Sequence, residues 1–132
     1  MIMDKQLMMS DAQAITATAV STNVIDLGAA GVAEGHPLRV LAQVVTDFAT
    51  LTSLQCDVQT SVDAAFSSPV VLQGDSLALA SSGLVAGEKF TLGTLSGNKV
   101  LRYIRLNYTV TGSNATAGAI DATLVLDDQT NE

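Results

Sequence analysis

The chain predicts an all-β fold: a jelly-roll-like antiparallel β-sandwich of about eight strands with an extended N-terminal arm. Three observations predict it. Apolar and polar side chains alternate through 102–112 and again through 117–127. That period of two belongs to half-buried strands, whose successive side chains point to opposite faces. Short apolar runs recur at intervals of roughly 8–15 residues between Gly, Ser, Asn and Asp clusters, the spacing of a sandwich rather than of helices. Val and Thr are abundant, which suits a pleated surface, and no apolar period of 3.6 is sustained.

Residues 1–22 are rich in Met, Ala, Ser and Thr. Gln6 to Met9 suits a short strand. Ser10 with Gln13 three residues on has the spacing of a helix cap, but no helical pattern follows, so the segment reads as an extended arm with one helical turn at most. Asn23 to Leu27 is a strand closed by Gly28 and Gly31. Leu38 to Val45 is densely apolar, as a central strand covered on both faces would be. Thr46 to Thr52 fits neither pattern, with Phe48 as its core anchor. Leu54, Cys56 and Val58 alternate with Gln55, Asp57 and Gln59, another half-buried strand.

Ser61 to Ser68 reads as a loop carrying Phe66, and Pro69 leads into a short strand, Val70 to Gln73. Leu77 to Ala80 is a further short strand, followed by turns at Ser81-Ser82-Gly83 and Ala86-Gly87-Glu88. Phe90, Leu92 and Leu95 mark the next strand, broken at Ser96-Gly97-Asn98. Ile104, Leu106, Tyr108 and Val110 then alternate up to Gly112-Ser113-Asn114, and Ile120, Ala122, Leu124 and Leu126 resume the alternation. This predicts an antiparallel hairpin. Asp127 to Glu132 is a short acidic tail. The whole, 1–132, reads as one β-sandwich domain, in which 1–22 is either an arm or the first strand.

Composition narrows the function. Thirteen acids against six bases give a net charge of −7, with Lys5, Arg39, Lys89, Lys99, Arg102 and Arg105 scattered. Nucleic-acid binding needs clustered cations and is excluded on that ground. Only 14% of residues are charged, against about 25% in typical soluble domains. Such a charge-poor surface suits permanent contact with other subunits. No run reaches the ~18 apolar residues of a membrane-spanning helix, and the opening residues lack the pattern of a signal peptide, so synthesis inside the cell is expected.

Catalytic equipment is sparse. His36, the single histidine, precedes Pro37 with no Gly-x-Ser-x-Gly nearby, so a Ser or Cys triad is not expected. Asp57 and Asp121 lie on strands among polar neighbours, where a carboxylate faces solvent or pairs with Arg. A glycosidase needs two carboxylates across an aromatic-lined cleft, and this chain has two Tyr, three Phe and no Trp. The same scarcity weakens, without removing, a carbohydrate-binding module. One His and one Cys disfavour zinc. Calcium at Asp127 and Asp128 lacks the Asp-x-Asp-x-Asp-Gly loop. The glycines match no phosphate-binding pattern. Asn107-Tyr108-Thr109 and Asn114-Ala115-Thr116 match the short glycosylation pattern without a secretion signal and are discounted. Cys56 reads as a small buried hydrophobe. Arg102 and Arg105, near Tyr103, form the one polar cluster; they are expected to pair with Asp121 or Asp57 on neighbouring strands, or to meet a partner subunit.

Six stretches resemble the small capsid cement, or decoration, proteins of short-tailed bacteriophages: MIMDKQLMMS at 1–10, STNVIDLG at 21–28, GHPLRV at 35–40, FSSPVV at 66–71, RYIRLNYTVTG at 102–112 and TAGAIDATLVLD at 116–127. They span nearly the whole chain in order, although none is a catalytic signature. The resemblance implies a jelly-roll sandwich on the outer face of a phage capsid. It also implies bridging of major capsid protein subunits as a homo-oligomer, dimer or trimer, with no enzymatic activity and no cofactor. The expected location is the virion, after synthesis in the bacterial cytoplasm. The expected contact residues are Met1, Ile2, Leu7, Met8 and Met9 of the Met-rich arm, with Arg102 and Arg105; the alternative for the arm is that it supplies the sandwich's first strand. The alternative function is a carbohydrate-binding β-sandwich module on the virion surface.

Overall fold

The computed structural model describes residues 4–29, 38–95 and 100–125, with backbone alone for 73–77, 93 and 94. A 3-10 turn, Lys5–Leu7, leads into β1 (Met8–Ala14), β2 (Ala19–Val20) and β3 (Ile25–Asp26). β4 (Leu38–Ser61) and β5 (Val70–Ala80) follow. A second 3-10 turn, Ser81–Gly83, precedes β6 (Lys89–Leu95) and β7 (Tyr103–Val125). Every described pairing is antiparallel, and all seven strands belong to one hydrogen-bonded sheet. The fold is an all-β sandwich.

Two strands set its shape. β4 has 24 residues and β7 has 23, and they pair from Arg39↔Val125 to Ser61↔Tyr103. Straight strands of that length would reach roughly 80 Å, far more than a small domain can cover on both faces. Both therefore bend, and the bend lies where the register slips, between Val44 and Ser53 of β4. On one side of it the strand order is β6, β4, β7, β1, through residues 38–44 and 119–125 of the long pair. On the other side β5, β4 and β7 run in order, and β2 and β3 together form the fourth rank. Seven strands thus fill two layers of four. Val40, Ala42, Ile120 and Ala122 of the first layer and Leu54, Cys56, Leu106 and Tyr108 of the second belong to one buried cluster. Each full aliphatic burial there contributes about 1.5–3 kcal/mol.

This arrangement corrects the predicted hairpin. The stretches 102–112 and 117–127 do not pair with each other; as far as Val125 they are halves of one strand, each paired with a different half of β4. Gly112, with φ +86°, and Gly118, with φ +141°, bend the strand onward instead of reversing it. Likewise Val70–Gln73 and Leu77–Ala80 are parts of the single strand β5, and the ambiguous 46–52 is the corner of β4. The dense run at 38–45 does sit mid-sheet between β6 and β7, and Val40, Leu41 and Ala42 are all buried, so both faces are covered there. The acidic tail at 127–132 lies outside the described residues.

Among the described residues the N-terminal segment is a turn and a paired strand rather than a free arm. Asp4 caps the first 3-10 turn by accepting from the Gln6 N–H at 2.9 Å. β1 then pairs with β7 from Met8↔Thr123 to Ala14↔Ala119. The cap spacing of Ser10 and Gln13 is real as a contact, Ser10 Oγ lying 2.7 Å from Gln13 Oε1, but it bridges a bulge in the strand. Ala12 makes that bulge with φ +45°.

The corner is held by specific contacts. Thr50 has φ +74°, costly for a β-branched residue. Its hydroxyl lies 2.7 Å from the Asn114 carbonyl oxygen and accepts from the Thr116 N–H at 3.1 Å, tying the kink to β7. The Phe48 ring lies against the backbone of Gly118, where an added Cβ would sit 2.3 Å from Phe48 Cδ1. Gly118→Ala should therefore lower stability by on the order of 1–3 kcal/mol from overpacking, more if the positive φ adds strain. Gly83→Ala, whose Cβ would meet nothing within 4 Å, serves as the control and should leave the urea midpoint unchanged. Equal midpoints for the two variants would show that the corner is not tightly packed.

Candidate functional site

The residues expected to touch a partner fall into two groups. In the first, Met1 and Ile2 lie outside the described residues. Leu7 is 36% exposed at the end of the first turn. Met8 and Met9 are buried; Met9 is in the central cluster, and Met8 pairs with Thr123 on the opposite face of its layer. Met9 therefore serves the protein's own interior and Met8 is covered on the other face, so the contact role expected for them is corrected: neither has side-chain surface free for a partner. The physical reason is pairing: once β1 joins β7, alternate side chains must enter the core.

Around β1 the polar groups are satisfied internally. Ser10 is fully buried, and its Oγ lies 2.8 Å from Tyr108 Oη in the other layer. With the serine proton given to Gln13, the phenol is the donor of that bond. Gln13 Oε1 also accepts from the Thr22 N–H at 3.0 Å, while Gln13 Nε2 donates to the Val20 carbonyl at 2.9 Å. Asn23 donates its backbone N–H to the Met9 carbonyl at 3.0 Å and its side-chain amide to the Met8 carbonyl at 3.4 Å. Val20 and Val24 are exposed. Their exposure was not legible beforehand, since neither valine sits in an alternating run that would set its face.

The second group is the arginine cluster. Arg102 makes a two-pronged pair with Asp26 of β3, Nε to Oδ1 at 2.8 Å and Nη2 to Oδ2 at 3.0 Å. Arg105 donates to Gln59 Oε1 at 2.9 Å, and its guanidinium lies 4.1 Å from the centre of the Phe66 ring. Neither expected acid is the partner. Asp121 lies across the bend, opposite Gln43, where it accepts from the Ala12 N–H. Asp57 stands opposite Asn107 and accepts from Gln55 Nε2 at 2.9 Å.

Phe66 reaches Arg105 from an ordered loop. It has φ +52°, an outlier for an aromatic residue, and is buried. Asp63 holds the loop in that shape, accepting from the hydroxyls of Ser61 at 2.8 Å and Ser67 at 2.5 Å. These hydroxyls hold the Asp63 carboxyl below the usual carboxylate range. Asp26 is lowered as well, first by its hydrogen bonds from Arg102 and then by that from the Gly28 N–H.

The other chemistry-bearing residues are separated. Cys56 is buried in the second layer, and desolvation, reinforced by Asp57, pushes its thiol up to about 12. Tyr108 is also pushed up by burial. His36, Asp127 and Asp128 lie outside the described residues. Among the described residues no three His, Cys, Asp or Glu side chains gather in a way that could hold a metal ion, and no helix is long and apolar enough to cross a membrane. The site that remains is a set of outward flanks on a closed interior.

A family model matches residues 9–124, most of the chain and both layers of the sandwich. The chain belongs to the Bbp16 family. The match makes it a member of a phage-related family. Comparison with curated proteins finds no match. The Bbp16 match begins at Met9 and ends at Leu124, so it takes in β1 almost entire and the full bend of β4 and β7.

Two outcomes follow from the titrating groups. Native Cys56 should resist thiol reagents at pH 8 and react fully only after denaturation; rapid native labelling would contradict its burial. Carboxyls lowered by folding contribute stability that is present above their unfolded values and lost as pH falls through the folded ones. Asp26→Asn and Asp63→Asn should therefore each lower stability at neutral and alkaline pH, the difference from the unaltered chain shrinking as pH falls below about 4, as read by urea midpoints across pH.

Proposed function

We propose that this Bbp16-family chain is a structural virion protein that binds the outer face of a phage capsid. It stabilises the shell there by bridging subunits of the major capsid protein. It acts as a homo-oligomer, dimer or trimer, without catalysis or a cofactor. The observation that carries this reading is the family match over 9–124, which the resemblance of six ordered stretches to capsid cement proteins refines.

The geometry supports it. A clamp must resist deformation, and the described core has no buried side-chain polar atom without a hydrogen-bond partner. The two guanidiniums of the polar cluster are already engaged within the chain, so they shape the surface and leave adhesion to the uncharged flanks. The aromatic rings weigh against the carbohydrate-binding alternative. Tyr108, Phe48 and Phe66 are buried, Phe90 packs against the core, and Arg102 sits over the Tyr103 ring at 5.1 Å. Sugars stack on open rings, and these rings are occupied.

The mechanism is additive burial. Separating two capsid subunits would also require breaking the contacts each makes with the bridging copy. An interface of about 1,600 Å² is of standard size, and several attachment points per oligomer multiply the retention of each.

Co-sedimentation with capsids purified without this protein tests the proposal. The chain should pellet with the shells at a fixed saturating stoichiometry and raise the temperature at which they rupture. Failure to pellet across low and moderate salt would overturn it. Leu7→Glu separates the two roles of the N-terminal segment: retention on capsids should fall by about tenfold or more, about 1.4 kcal/mol, with the urea midpoint unchanged. Met9→Ala should instead cost about 2–5 kcal/mol of folding stability. Undiminished retention of Leu7→Glu would remove this segment from the contact surface.

A further inference from the structure

We draw no further inference here: the strongest candidate, the exposed corner of Val62, Val70 and Val71 where the ordered loop after β4 runs into edge strand β5, is an apolar patch with nothing in the structure to show what covers it.

Discussion

β4 and β7 share one hydrogen-bond ladder that continues through both layers of the sandwich, and the other elements take their places from it. β1 and β6 flank its first half, and β5, β2 and β3 flank its second. A ladder of this length can serve a small domain only if it turns a corner. The cost of the corner is local: register slips, a threonine with positive φ, and two glycines that tolerate neighbours no Cβ would allow. The gain is global, because both faces that the bend brings together become one interior.

That interior explains what is left for binding. Pairing of β1 with β7 draws Met9 inward and leaves Met8 covered on the other face, and the bond between Ser10 and Tyr108 crosses from one layer to the other. A buried hydroxyl pair of this kind stabilises only when both partners are satisfied, and Gln13 completes it. The arginine cluster is likewise turned to internal use, linking β3 to the start of β7 and pinning the loop at Phe66. What faces outward is a mixture of Thr, Ser, Val and a few acids. A member of the Bbp16 family built this way has firm flanks, and the proposed attachment to a shell asks for no more.

Much of the fold was legible locally. The alternation of Ile104, Leu106 and Tyr108 identified their buried face, the same reasoning put Cys56 inside, and Phe48 anchors the core from a stretch with no clear period. The partners of the strands were not legible. Gly112-Ser113-Asn114 has the composition of a reversal, yet the same residues serve a bend when a long strand lies alongside, and the sequence near residue 112 says nothing about residue 51, opposite which it sits. The mistaken ion pairs followed from this. Had the strand reversed, Arg105 and Asp121 would have been near neighbours; with the strand carried onward they belong to different layers, and Arg102 finds Asp26, 76 positions away in the chain. The buried methionines were ambiguous for a related reason, since an apolar segment looks alike whether it grips a neighbour or closes its own sheet.

The length of the shared ladder also bears on how the molecule comes into being. Residues 39–61 find their partners among residues 103–125, and β1 needs 119–123. A nascent chain can pair β4 with β5 and β6 alone until β7 has been made, and the wait leaves the other edge of β4 and its apolar side chains uncovered. Few charges are available to keep such a chain apart from its neighbours during that interval, so prompt closure, rather than final firmness, is the harder demand on this sequence.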